Sequence, residues 1–340
     1  MLADIVEHLL CPVCGHDVRL DAGALRCGNG HAYDVAKQGY VSLLVGSRPP
    51  GTADSAEMVA ARADFLSAGH YRPLADALAE CVQLRITGAE RGEGDAFRGD
   101  RFSAPPDAAA EEAYGSGSVG SERGAGSAWR QAGHATEPLI VDAGAGTGYY
   151  LATVLGAVDR GIGMAFDVSK HAVRRAARAH PRIGAFVADV WRPLPIRGGV
   201  ADVVIDVFAP RNGPEFRRVL RPGGAVMVVT PAADHLSPLV EELGLLSVDE
   251  EKDRRLARSL EGFVAAGRRT VEFDLELAPG EVAGVVRMGP SAWHTDAVEL
   301  AERISRYISR DIVKKREKVW ARAAFHLSIF ETEPGSRDVP

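Results

Sequence analysis

The chain has 340 residues, 46% apolar and 25% charged, with a formal net charge of −6. This length suits one large domain plus a small one, or two domains with a linker. That composition is ordinary for a soluble globular protein. No apolar run approaches the roughly 20 residues needed to cross a bilayer. The opening "MLADIVEHLL" lacks the basic segment of a signal peptide, so a cytoplasmic protein without membrane contact is expected. Net acidity weighs mildly against a nucleic-acid partner, but the charge is uneven. The stretch from Ile86 to Glu137 is acid-rich, and "RISRYISRDIVKKREKVWAR" is basic.

Residues 1–46 carry three of the four cysteines and short strand-like pieces, "ALRCG" and "YVSLL". Cys11, Cys14, Cys27 and His31 are spaced C-x2-C-x12-C-x3-H, two close pairs that can close a tetrahedron around zinc. All four ligands come from protein, which leaves no position for water and points to a structural metal. Such a small module has little core of its own, so folding and metal binding should be coupled. His16 lies between the pairs and is expected to be solvated. Cys81 falls on the apolar face of a helix and is expected to be core.

Residues 47–86 are expected as a helical connector. In "SAEMVAARADFLSAG", Met58, Ala61, Phe65 and Leu66 lie near one face, with Ser55 as N-cap. "RPLADALAECVQL" continues as a second helix. Residues 87–136 then turn to Gly, Ala, Ser and charge with few branched apolar residues, and are expected to form a flexible insert. From 137 to 340 strands and helices alternate: "PLIVDAGAG", "GYYLATVLGAV", "GIGMAFDVS", "KHAVRRAARAH", "IGAFVADV", "ADVVIDVFAP", "GPEFRRVL" and "GGAVMVVTP". Continuous apolar strands between helices predict a parallel sheet covered on both faces. Further on, "RRTVEFDLELA" and "EVAGVVRMG" are expected as two antiparallel strands, followed by a basic helix and a last strand, "AAFHLSIFETE".

"VDAGAGTGYY" ends a strand and opens a helix. Gly144, Gly146 and Gly148 permit a tight turn and close approach to a ligand. Dinucleotide enzymes use similar loops. Here the spacing is GxGxG, Asp142 precedes it, and "VLRPGGAVMVVTP" follows in the manner of methyltransferases. Asp167 closes the next strand, where a carboxylate can hold ribose hydroxyls. Asp189 closes the third, in reach of an adenine amino group. The arrangement resembles the class I (Rossmann-like) methyltransferases and implies an α/β fold that binds S-adenosyl-L-methionine.

Taken together, "CPVCG…CGNGHAYDVAKQGYVSLL", "GTADSAEMVAARADFLSAGHYRPLADAL", "VDAGAGTGYY" and "DVFAPRN…EFRRVLRPGGAVMVVTPAADHL" resemble the 23S ribosomal RNA guanine-N1 methyltransferases of the RlmA type. "MGPSAWH", residues 288–294, resembles the macrolide-resistance branch of actinobacteria. The resemblance implies a zinc module that helps recognise a 23S rRNA hairpin, a homodimer, and drug resistance as an outcome of methylation. By residue matching it also places Tyr71, Gly146, Thr147 and His235 at the cofactor. The insert departs from the family pattern.

Guanine N1 carries a proton and is poorly nucleophilic until that proton leaves, so placement plus an assisting base should drive the reaction. Asp206, near the carboxyl end of "VVIDVFAP", is the candidate base or base-orienting group; Phe208 and Pro210 are candidates to frame a flipped base. Two rival functions are a small-molecule biosynthetic methyltransferase, which needs no zinc module, and a catalytically inactive RNA-binding protein, which needs no intact glycine loop.

Overall fold

The computed structural model describes residues 1–46, 53–88, 137–245, 252–288, 297–312 and 318–332. Most of the insert (89–136) and the "GPSAWH" stretch (289–294) lie outside these residues.

The chain opens with α1 (Leu2–Ile5) and a short 3-10 turn, then an antiparallel sheet of β1 (Val18–Asp21), β2 (Ala24–Cys27) and β3 (Ala32–Asp34). Asp21 pairs with Ala24, so β1 and β2 join through two residues, Ala22 and Gly23. Both have positive φ, which matches the twist of a tight hairpin. This small sheet is fastened to the rest of the protein. Ile5 of α1 lies over Gly184, where a Cβ would meet the Ile5 side chain at 2.5 Å. β4 (Tyr40–Ser42), the "YVSLL" strand, leaves the small sheet to pair in parallel with β7 (Ile183–Val187).

Two helices follow, α2 (Ala56–Ser67) and α3 (Arg72–Thr87). Ser55 caps α2 by accepting the Met58 N–H at 3.2 Å, and Phe65 and Leu66 are buried. Pro73 sits in the first turn of α3, where its missing N–H costs nothing, and Gly88 ends the helix in the left-handed conformation. Cys81 is buried on the inner face. α3 packs on α4 (Tyr149–Ala157), so the helices expected as a connector are part of the main core.

The main sheet runs β10-β11-β9-β8-β5-β6-β7-β4 among the described residues. Its members are β5 (Leu139–Ala143), β6 (Ile162–Asp167), β8 (Ala201–Val207), β9 (Leu220–Pro231), β10 (Phe263–Leu277) and β11 (Val319–Thr332), with β4 and β7 at the far edge. β7-β6-β5-β8-β9 is the 3-2-1-4-5 order of a doubly wound sheet, all parallel. β11 and β10 extend it antiparallel. Every residue of β5, β7 and β8 is buried, because α3, α4 and α5 (Lys170–Ala179) cover one face, and α1, α6 (Gly213–Val219) and α8 (Lys252–Ser259) the other. Between α6 and α8, α7 (Leu239–Leu243) follows β9.

One sequence expectation is corrected. "EVAGVVRM" is not a strand but lies in helix α9 (Pro279–Met288). Its valines suit either structure, but Val282, Val285 and Val286 are spaced i, i+3, i+4 and form one buried face against α2 and the sheet. The partner of β10 is instead the last strand, β11, in register from Phe263–Thr332 to Leu277–Val319. A final helix, α10 (Ala297–Ile312), precedes β11.

Candidate functional site

The metal-ligating residues converge. One ligand atom from each of Cys11, Cys14, Cys27 and His31 lies within 4.8 Å of all the others. Cys14 Sγ is 3.7 Å from Cys27 Sγ, and His31 Nδ1 is 3.5 Å from Cys11 Sγ and 3.3 Å from Cys27 Sγ. A tetrahedron with Zn–S bonds of about 2.3 Å and Zn–N bonds of about 2.0–2.1 Å has edges of roughly 3.5–3.8 Å. The four donors therefore fit zinc. The first pair forms a knuckle in which Gly15, at positive φ, donates its N–H to Cys11 O at 2.8 Å. Burial pushes the Cys11 thiol up, but the Tyr33 hydroxyl at 3.1 Å and the Val13 and Cys14 N–H groups more than offset it, bringing it down to about 6. His16 is exposed, with Nδ1 3.0 Å from Cys14 O, outside the cluster.

The glycine loop lies at the carboxyl ends of β5, β6 and β8, where an open α/β sheet binds its ligands. Gly144, Gly146 and Gly148 all have positive φ. At Gly144 a Cβ would stand 2.5 Å from the Ala209 Cβ, so the loop after β8 closes directly on the glycine turn. At Gly148 a Cβ would stand 2.8 Å from Ala176 Cα, which lets the start of α4 touch α5. Thr147 is partly exposed at the turn.

Two acids adjoin this loop, and a third follows β7. Asp167, at the end of β6, accepts the Gly146 N–H at 3.0 Å and the Ser169 N–H at 2.8 Å. Burial raises its pKa, opposed by those two N–H groups. Asp142 is buried in β5, and its Oδ2 has no hydrogen-bond partner among the described residues. Burial, with Asp167 nearby, pushes its carboxyl up to about 8. An orphaned buried acceptor beside a glycine turn fits a ligand that brings a cationic N–H donor. Asp189, after β7, is partly exposed and accepts the Trp191 N–H at 3.0 Å.

The Asp142 shift has a measurable consequence. An unfolded Asp titrates near 3.9. Between that value and about 8 the folded protein holds a proton that the unfolded chain has released. The associated stability is fully present below pH about 4 and is lost as pH rises toward 8. In ligand-free protein, Asp142→Asn should flatten the decline in unfolding free energy from pH 5 to pH 8 by about 3–4 kcal/mol, the linkage equivalent of about three pH units. Urea unfolding at the two pH values tests this, and parallel profiles for both proteins would refute it.

Tyr71 and His235 also come together. Ala324 N–H donates to His235 Nδ1 at 3.3 Å, which leaves the proton on Nε2. Nε2 then donates to the Tyr71 hydroxyl at 3.2 Å. Tyr71 is buried in an aromatic cluster with Phe65, Phe208, Phe273 and Phe325, and burial raises its pKa well beyond the usual phenol range. Phe208 is 44% exposed and held at a φ of 57° just after β8, so it borders the open side of this cluster. Sequence reading missed Phe273 and Phe325. They lie on β10 and β11, and only strand pairing brings them to Tyr71.

Asp206, the candidate base or base-orienting group, lies inside the fold beside Arg211. It is 0% exposed, on the face of β8 turned toward α6. Arg211 Nη1 donates to its Oδ1 at 3.3 Å. Burial drives its carboxyl well above the usual range, opposed by Arg211. The side chain ties Ala209 and Arg211 to the end of β8, and its Oδ2, like that of Asp142, has no hydrogen-bond partner among the described residues. Arg62 is a further residue that the sequence reading did not single out. It ion-pairs with Asp54, donates to Met288 O at 3.1 Å and lies 3.6 Å from a Cβ placed on Gly146, so α2 and α9 are strapped over the glycine turn.

Residues 9–46 match the family described as RlmA, N-terminal, a zinc ribbon. A protein of Micromonospora griseorubida named as a 23S rRNA (guanine-N1)-methyltransferase is 49% identical over 310 residues, covering 90% of this chain and 93% of that one. The 23S rRNA (guanine(748)-N1)-methyltransferase of Streptomyces fradiae is 44% identical over 307 residues, covering 90% and 92%. Among solved structures, an S-adenosyl-L-homocysteine complex of a Geobacter sulfurreducens methyltransferase is 17% identical, covers 58% of this chain and 86% of that one, and superposes with a TM-score of 0.36. At this identity and coverage to the curated relatives, the chain belongs to the 23S rRNA guanine-N1 methyltransferases.

Proposed function

We propose that this protein uses S-adenosyl-L-methionine to methylate N1 of a guanine in 23S rRNA. The observation that carries the reading is a zinc-fit ribbon fastened through α1 and β4 to the same sheet that carries an intact glycine loop. Neither rival function needs both. When bound, the cofactor supplies an electrophilic methyl group on sulfonium sulfur.

The chain's own residues would place it as follows. Asp142 Oδ2 meets the cofactor's ammonium end, and the Gly144–Gly148 turn, with Thr147, provides close backbone approach. Asp167 holds the ribose hydroxyls, and Asp189 the adenine edge. Tyr71, fixed by His235, borders the methyl-donating end. Phe208 frames the guanine on the open side. Asp206 acts by holding Ala209 and Arg211, and through them the loop after Phe208, which makes it a positioning residue. The wider reading has an N-terminal zinc module over 1–46 and a methyltransferase domain over 137–340 that includes the preceding helices. It also takes a 23S rRNA hairpin as the substrate element, with a cytoplasmic homodimer as the working form. Guanine 748, named for the Streptomyces fradiae relative, is the first position to test, and reduced macrolide sensitivity the phenotype to seek.

The test is transfer of tritiated methyl to deproteinised 23S rRNA, with nucleoside analysis and primer extension. A methyl on N1 blocks Watson–Crick pairing, so reverse transcriptase should halt beside one guanine. Label in a different base, or at guanine without a halt, would overturn the assignment. Label only in small metabolites would favour the biosynthetic rival.

A further inference from the structure

Trp191 is 64% exposed, an unusual position for the largest apolar side chain in a folded protein. Arg192 and Pro193 beside it are exposed as well. These residues lie on the span from β7 to β8, and that span is held at both ends. At its start, Asp189 accepts the Trp191 N–H, and Asn212 Nδ2 donates to Val190 O at 2.8 Å. Asn212 belongs to the β8–α6 loop that carries Phe208. Glu215 of α6 accepts the Leu194 N–H at 2.6 Å. At its end the span joins the zinc module. Leu9 bridges to Ile196, Leu10 donates to Pro195 O at 3.0 Å, and Arg197 donates to Asp17 Oδ1 at 2.8 Å. Trp191 is therefore carried on a rigid strip from the Phe208 loop to the metal ribbon.

We propose that Trp191 is a stacking platform for an unpaired nucleotide of the RNA substrate next to the target guanine, with Arg192 neutralising an adjacent phosphate. The proposal rests on the rRNA reading above and adds a substrate-positioning residue to it. An exposed, backbone-anchored indole with a neighbouring guanidinium offers the π-face and charge that single-stranded nucleic acid binds. No ion pair engages Arg192 among the described residues, so its charge is available for phosphate. Fixing the strip at both ends removes the cost of ordering it when RNA binds.

The experiment compares Trp191→Ala, Trp191→Phe and Arg192→Ala with the parent protein, using a 23S rRNA fragment that supports methylation. Trp191→Ala should raise KM for RNA roughly 5- to 150-fold, the range of one lost base–aromatic stack. Cofactor affinity, zinc content and thermal midpoint should stay unchanged. Trp191→Phe should recover most of the loss because an aromatic face remains. Arg192→Ala should raise KM and make RNA binding less salt-dependent. An unchanged KM in Trp191→Ala overturns the proposal. A fall in cofactor affinity without a change in RNA KM also overturns it, and would make the indole a wall of the adenine site. If the parent protein methylates no RNA, the functional reading fails first, and that outcome is distinct from an active parent with an indifferent Trp191.

Discussion

Replacing Cys27 with Ser, or stripping zinc with a chelator, should unfold the N-terminal ribbon and abolish RNA methylation. Structural zinc sites in small modules contribute on the order of 10–16 kcal/mol of apparent binding energy, and that energy is folding energy. Here the ribbon's own sheet has strands of three or four residues and a small core around Leu25, Val18 and the buried sulfurs. Without metal, no bond holds Cys14 Sγ 3.7 Å from Cys27 Sγ or His31 Nδ1 3.3 Å from Cys27 Sγ, and Cys11, lowered to about 6, would be largely ionised at neutral pH. The effect should extend past the ribbon. α1 lies on Gly184 and β4 pairs with β7, so metal loss should also loosen that edge of the main sheet. Hydrogen exchange of Ile183–Val187 should rise along with that of the ribbon, while amides of β5 and β8 keep their protection. Cofactor affinity by calorimetry should persist. Full protection at β7 after verified zinc loss would show that the ribbon is energetically separate, and unchanged methylation would remove it from substrate recognition.

Gly144→Ala should cost about 2–5 kcal/mol and reduce cofactor binding to a small fraction of the parent's. Two effects add. An L-residue at φ 72° pays about 1–2 kcal/mol for the left-handed conformation. The new Cβ would stand 2.5 Å from the Ala209 Cβ, and overpacking of that kind costs about 1–3 kcal/mol. One relief is to push the 208–211 loop outward. That movement would carry Phe208 away from Tyr71 and pull Arg211 from Asp206. The pair of contributions can be separated with a second change. Ala209→Gly removes the colliding methyl but not the backbone cost. The double variant should therefore recover part of the stability and much of the cofactor affinity. Equal losses in single and double variants would show that the close approach to Ala209 is not the source. Wild-type affinity in Gly144→Ala would show that the turn does not contact the cofactor as proposed.

The correspondence between sequence and structure is uneven for identifiable reasons. Chemistry set by short spacing was legible in the chain. Cys11, Cys14, Cys27 and His31 sit in two close pairs, and a hairpin between pairs is enough to bring them together. The glycine turn with Asp142 and Asp167 was legible too, since a strand–turn–helix places those groups within one βαβ unit. The alternation of apolar strands and helices predicted the parallel sheet, because strands buried on both faces must be apolar throughout.

What the sequence left open depended on partners distant along the chain. "EVAGVVRM" has enough valine for a strand, and only packing on α2 selects its helical face. Asp206 stands near a strand end like any site carboxylate, but alternation along β8 turns it inward to Arg211. Phe273 and Phe325 are separated from Tyr71 by some two hundred residues or more in sequence, and the β10–β11 pairing brings them into contact. Trp191 appears as an ordinary apolar residue until the fold leaves it in solvent between the ribbon and the Phe208 loop. Local geometry determined which groups could bind metal and cofactor. Which of them face the crevice was decided by long-range burial and strand register, which no local spacing encodes.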